Sequence, residues 1–196
     1  MVKILISQKE LKSIYSLAKK RHDSKDMSFR NTGILIKDPK SVYSPHSIGL
    51  LGEHAWGKHI GESVDRKIYK VRDDGEDFAG TEVKTITYFG NGEPELKIKK
   101  EEFHSKKPSL YVLARVDKKK LNTVELLGTI SREDFESKKK EKQYRSDNPV
   151  NYVVPLSKMN KVLNKNFSSS FDSYDGCIPP GVRLPEIQIE NHHYES

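Results

Sequence analysis

The segment Leu110-Tyr111-Val112-Leu113-Ala114-Arg115-Val116 constrains the fold more than any other part of the chain. It is apolar throughout except for Arg115 and is strand-length rather than helix-length. A continuous apolar run of this kind suits a strand covered on both faces. A second strand is expected over residues 124–130, reached across the basic turn Lys118-Lys119-Lys120. A doubly covered strand requires layers above and below it, which points to a sheet flanked by helices.

The remaining pattern supplies those layers. Ser7-Gln8-Lys9-Glu10 has the form of a capping box, and Leu11, Ile14, Tyr15 and Ala18 follow at helical spacing, predicting a helix over 8–22. Residues 23–46 read as polar loops around one short strand, Ile34-Leu35-Ile36. A second helix is expected over 47–60, closed by Gly61. Residues 67–71 suit a short strand, and 81–89 form a β-branched and aromatic strand. Asn91-Gly92 then predicts a hairpin returning through Leu96-Lys97-Ile98. A helix over 132–143, a strand at Tyr152-Val153-Val154 and a weak helix near 157–164 follow. The fold class is α+β, with α/β/α layering around a mixed sheet. Residues 1–46 pack on the core as an N-terminal helix with loops, 47–165 form the core, and 166–196 form an irregular tail rich in Ser, Pro and Gly.

Composition narrows the function classes. The 196 residues suit one domain, and 34% hydrophobic against 32% charged residues implies a modest core under a charged surface. The formal charge of +7 favours a polyanionic partner, nucleic acid first, against the plainer alternative of a lysine-rich solvated surface. The single cysteine, Cys177, excludes an intrachain disulfide and a cysteine zinc site, and no nearby base activates it. The N-terminal apolar run is too short for a signal peptide, and no segment reaches membrane-spanning length. The expectation is a cytoplasmic protein with no membrane association.

Chemistry concentrates in Asp73-Asp74-Gly75-Glu76-Asp77-Phe78-Ala79-Gly80-Thr81-Glu82-Val83-Lys84-Thr85. Strand geometry puts Glu82 and Lys84 on one face about 7 Å apart, with Val83 directed to the core. If Ala79-Gly80 forms a tight turn, Phe78 faces Thr81 and Asp77 faces Glu82 at about 5 Å. Two carboxylates so close repel unless a cation intervenes, and Mg²⁺ suits oxygen ligands of this kind. An adjacent ammonium at Lys84 can orient a water and stabilise charge on a phosphate. Upstream, Glu53 shares the inward stripe of its helix with Gly49, Leu50, Trp56, Gly57 and Ile60, where an unpaired carboxylate is costly. It either stays wet at the core edge or has a partner.

A helical Glu, then Asp followed by Glu-x-Lys on a hairpin, resembles the PD-(D/E)xK (restriction-endonuclease-like) nuclease superfamily. Gly49-Leu50-Leu51-Gly52-Glu53 is similar to the Gly-x-x-Gly-Glu helix start of several branches. The stretch from Asp77 to Thr85 resembles the Asp-Phe…Gly-x-Glu-Leu-Lys-Thr hairpin of the mismatch-repair nickase branch. The similarity covers roughly residues 48–135. It departs from the pattern in lacking a proline before Asp77 and in the short Asp77-to-Glu82 interval, which leaves Asp74 as the alternative first acid. The resemblance implies a metal-dependent deoxyribonuclease, an endonuclease, using Mg²⁺ with Mn²⁺ as a substitute. Asp77 and Glu82 would bind metal, the Val83 carbonyl would be an extra ligand, Lys84 would position water and Glu53 would support the metal site. Its partner would be DNA, and double-strand cutting by a one-site domain implies a homodimer. The alternatives are a non-catalytic nucleic-acid- or partner-binding module on the same fold, and an RNA-directed nuclease.

Other features carry weaker signals. Tyr88 shares the Glu82 face and could touch a sugar or base, although strand tyrosines more often pack. Lys58 and His59, with His54, flank Glu53 and suit phosphate contact as well as a solvated helix face. The basic runs at 97–107, 118–120 and 138–142 would each fit a phosphate backbone. His192-His193 would bind a metal only if the tail were ordered.

Overall fold

Strand β4 (Leu110–Val116) lies inside a four-stranded sheet, between β5 (Thr123–Ser131) and β2 (Thr81–Thr87), with β1 (Val2–Leu5) beyond β5, in the order β1-β5-β4-β2. The computed structural model describes residues 1–23, 44–64, 77–87, 92–117 and 119–163. The segments 34–36 and 67–71, Asp74, Tyr88, Asn91, Cys177, the proposed tail and His192-His193 lie outside them. The chain divides into Met1–Lys165 and Asn166–Ser196, and every described element belongs to the first unit.

The alternating faces of β4 fill two separate cores. Val112, Ala114 and Val116 join one cluster, with α1 (Gln8–Asp23) and α2 (Pro45–Ile60). Tyr111 and Leu113 join the other. The second cluster also takes Leu96 and Ile98 of β3 (Glu95–Lys99), Phe103 of α3 (Lys100–Ser105), Phe135 of α4 (Arg132–Lys138) and Tyr152 and Val154 of β7 (Asn151–Pro155). Double coverage explains why the strand is apolar without alternation. The protein is therefore mixed α+β, with two helices on one face of the sheet. A small second sheet of order β3-β7-β6, with β6 spanning Lys140–Lys142, and two short helices supply the core on the other.

Strand β5 (Thr123–Ser131) runs antiparallel to β4 but changes register between Leu113 and Ala114. The irregularity turns Val124 and Leu126 toward the first core and Leu127 and Ile130 toward the second. At the far edge, β1 (Val2–Leu5) pairs with β5, so the N-terminus is woven into the main sheet rather than merely laid on it. Helix α1 opens with the expected reciprocal cap: Ser7 N–H donates to Glu10 at 2.6 Å, and Glu10 N–H donates to Ser7 at 3.3 Å. Helix α2 starts at Pro45 under a Ser44 cap and ends at Gly61.

Three expectations change. The strand β2 (Thr81–Thr87) does not pair with β3 in a hairpin; it pairs with β4 in parallel, and β3 pairs with β7. Parallel neighbours require a crossover, and β3 with α3 forms it, burying Leu96, Ile98 and Phe103 on the way. The helix expected over 132–143 stops at Lys138, and Lys140–Lys142 becomes β6 against β7. Phe135 is its one buried residue, and the Lys-rich sequence beyond offers nothing apolar to hold another turn. The helix near 157–164 reduces to one 3₁₀ turn, Leu156–Lys158, because Asn160 pairs with Thr129 in extended form. No described helix is long and apolar enough to cross a membrane.

Candidate active site

The turn at Ala79-Gly80 orders the candidate site. Phe78 and Thr81 exchange backbone hydrogen bonds of 2.9 and 3.2 Å, and Gly80 adopts φ 69°. That left-handed backbone is one a side chain resists. The Gly80 carbonyl accepts from the Ser109 and Leu110 N–H groups and from the Ser109 hydroxyl, tying the turn to the start of β4. Asp77 is held just before the turn: its Oδ2 accepts from Val83 N–H at 2.7 Å. Val83 thus meets Asp77 through its N–H, while its side chain joins the α1/α2 core.

Glu82 and Lys84 project from the other face of β2, over Tyr111 and Leu113 of β4. Lys84 Nζ donates to Glu82 Oε1 at 2.8 Å and to Glu102 Oε1 at 2.6 Å. Lys106 Nζ lies 3.3 and 3.4 Å from the two oxygens of Glu82. Asp77, Glu82, Lys84, Glu102 and Lys106 therefore form one electrostatic group, with Glu82 only 5% exposed. Burial, reinforced by the neighbouring Glu82 carboxylate, pushes Asp77 up to about 6. Burial alone would depress Lys84, but Glu82 and Glu102 outweigh it and hold the ammonium above its ordinary range. Glu102 shows the complementary balance, desolvation opposing and Lys84 prevailing, so its carboxyl titrates below its ordinary value.

Glu102 and Lys106 were not among the residues singled out from sequence. They lie in and just beyond α3, inside what read as a basic run. Their i,i+4 spacing is the only local sign that they share a helical face. Arg132 fixes that helix. Its guanidinium donates to the carbonyls of Phe103 (2.8 Å) and Lys106 (2.9 Å) and to the Tyr111 hydroxyl (3.0 Å), and stacks 4.1 Å from the Phe103 ring. Burial pushes the Tyr111 phenol up to about 12, so it stays protonated.

The other sequence candidates sit elsewhere. Helix α2 packs on the Val83–Thr85 face of β2, opposite Glu82 and Lys84. A Cβ at Gly52 would stand 1.9 Å from Thr85 Oγ1, and Thr85 donates to the Gly49 carbonyl at 3.4 Å. This contact requires glycine at Gly52. Glu53 forms an ion pair with Arg21 of α1 at 3.6 Å. Lys58 donates to Glu10 and to the Leu5 carbonyl, both at 2.9 Å, and His54 lies 3.1 Å from Glu10. These two side chains thus clasp α1 to α2. His59 packs against the Trp56 ring at 5.3 Å.

Among the described residues, no three or more His, Cys, Asp or Glu side chains gather as a metal cage. The Asp77–Glu82 pair is instead a two-carboxylate oxygen set of the kind that suits Mg²⁺, which keeps several waters and needs few protein ligands. No family model matches this chain, and no curated protein or solved structure matches it either.

Proposed function

We propose that the protein is a Mg²⁺-dependent deoxyribonuclease, an endonuclease with a PD-(D/E)xK-type, restriction-endonuclease-like core. One observation carries this reading. Burial at a fixed turn, with the Glu82 carboxylate adding to it, lifts Asp77 to about 6, and a lysine ammonium stands 2.8 Å from Glu82. Perturbed carboxylates beside an oriented cation are typical of reacting centres.

Asp77 and Glu82 would hold the metal, with the Val83 carbonyl beside them. Bound there, Mg²⁺ supplies Lewis acidity and an activated water. The chain's own groups do the rest. The Val83 N–H aims the Asp77 carboxylate and leaves its second oxygen available. Lys84, drawn forward by Glu82 and restrained by Glu102, presents a permanent positive charge to a phosphate gaining negative charge. Lys106 adds a second cation on Glu82. Glu53, paired with Arg21 at 3.6 Å, would support the site from α2.

A second reading has its own observation. Glu82 is buried and already met by two lysines, as in a purely structural ion network supporting a non-catalytic binding module. Incubation with plasmid, linear, single-stranded and branched DNA in Mg²⁺, Mn²⁺ or EDTA separates the two. Metal-dependent cleavage lost in folded Glu82→Ala and Lys84→Ala proteins is expected. Absence of cleavage on every substrate would leave the binding module, and an RNA arm decides which sugar is cut.

A further inference from the structure

Two basic runs that are separate in sequence become one surface in the small sheet. Register pairs Lys97 with Val153 and Val153 with Lys140; it likewise pairs Lys99 with Asn151 and Asn151 with Lys142. Directly paired residues share a face, so Lys97, Lys99, Lys140 and Lys142 stand together on the side of this sheet turned away from Leu96 and Ile98. All four are exposed. Within each strand the two lysines are about 7 Å apart, and the two pairs are separated by about 10 Å across β7. Glu95 is the one acid in the same rows, bound to Lys142 at 3.0 Å and lying 3.9 Å from Lys97. Lys99 and Lys140 have no ion pair among the described residues.

We infer that this lysine face is a docking surface for the phosphate backbone of duplex DNA, resting on the proposed action on DNA. Charge complementarity selects a polyanion. The proposed action on DNA makes a duplex the occupant, with a single strand and an RNA duplex as arms of the test. Lys97 and Lys142 hold the Tyr144 ring at the face, at 4.3 and 4.9 Å from its centroid, and the Tyr144 hydroxyl donates to Glu95 at 2.8 Å. The location also suits a substrate track. Strand β3 runs without a break into α3, a helix about 9 Å long that carries Glu102 toward Lys84 and leads on to Lys106 at Glu82.

The test is equilibrium binding of the full chain to a blunt duplex in EDTA across a salt series, run beside cleavage assays in Mg²⁺. Lys99→Glu/Lys140→Glu is compared with Lys12→Glu/Lys19→Glu, which changes net charge equally on the exposed side of α1. The face variant is expected to lose on the order of tenfold in affinity and to flatten the log–log salt slope by about 0.9 per lysine. The control variant should stay close to wild type. Equal losses in both variants, or none in either, overturn the docking surface. Tighter wild-type binding to a single strand or to an RNA duplex overturns the choice of occupant. Because binding is read without metal, a protein that binds through this face but never cleaves refutes only the nuclease reading. One that cleaves with an unchanged face variant refutes only the docking surface.

Discussion

Glu10 and Glu82 are built from similar parts and reach opposite outcomes. Glu10 is met by Lys58 and His54, and Glu82 by Lys84 and Lys106. The Glu10 side chain keeps 27% of its exposure, whereas Glu82 keeps 6%. Hydrogen bonds from Ser7, then from Lys58, hold Glu10 well below the ordinary glutamate range. No second acid presses on it there, so the charge is settled and the contact serves as a clasp between helices. Beside Glu82 a further carboxylate, Asp77, is held just before the Ala79-Gly80 turn, and burial first, then the Glu82 charge, pushes it up to about 6. Desolvation, with like charge added to it, stores unfavourable energy that a divalent cation or a proton would release. Matching lists of charged residues therefore say little until burial and the nearest like charge are known.

The sharpest test of this contrast is activity. Glu82→Ala and Lys84→Ala should each lower DNA cleavage by at least about 10²–10³-fold in a Mg²⁺ assay. Lys58→Ala, in the clasp, should cleave like wild type. A comparable loss in Lys58→Ala would break the distinction between the clusters.

Arg132→Ala comes next. It strips donors from the Phe103 and Lys106 carbonyls and from Tyr111, and urea unfolding should show a loss of about 3 kcal/mol. Cleavage should fall with it, because α3 sets the position of Glu102 and Lys106. Arg132→Lys, which keeps the charge without the planar fork, should recover only part of either loss.

Asp77 supplies a pH signature. Its folded value of about 6 lies above the ordinary 3.8, so the folded state binds the extra proton. The metal-free protein should gain stability as pH falls from 7 through about 6 toward 4. Asp77→Asn should remove that dependence, raise metal-free stability near pH 7.5 by roughly 1–3 kcal/mol, and abolish cleavage. Thermal melts across pH with and without Mg²⁺ read this directly. An unchanged pH profile in the variant would remove the raised Asp77 value from the account.

The smallest effect belongs to the clasp. Glu10→Gln should cost about 1 kcal/mol or less. Glu10 has a depressed value, so its contribution is fully present above the ordinary 4.5 and is lost as pH falls through the lower folded value. Acid titration of wild type and variant should therefore converge only at strongly acidic pH.

Local chemistry made part of this legible in the sequence. The Ser7–Glu10 cap, the Gly61 stop and the turn at Ala79-Gly80 each depend on a few adjacent residues. The doubly covered β4 was legible because a strand buried on both faces cannot hide its composition. Strand periodicity placed Glu82 beside Lys84. The β2–β3 hairpin failed because Asn91-Gly92 favours a turn without choosing the partner strand. The apolar faces of Leu96 and Ile98 were satisfied by β7 and the second core instead. Helix α4 ended early for the same reason: charge is compatible with a helix, but only buried apolar surface holds a short one in place.

The sequence by itself determined that Glu82 and Lys84 share a face, because a period of two is a property of one strand. It likewise determined the helix caps and the central strand. Only the tertiary structure decided that Glu102 and Lys106 complete the charged cluster, that Glu53 pairs with Arg21 and that Lys58 pairs with Glu10. It also brought the lysines of 97–99 and 140–142 onto one face. Those outcomes depend on which surfaces bury together across the sheet, and the energy that selects them comes from desolvation and packing between segments far apart in the chain.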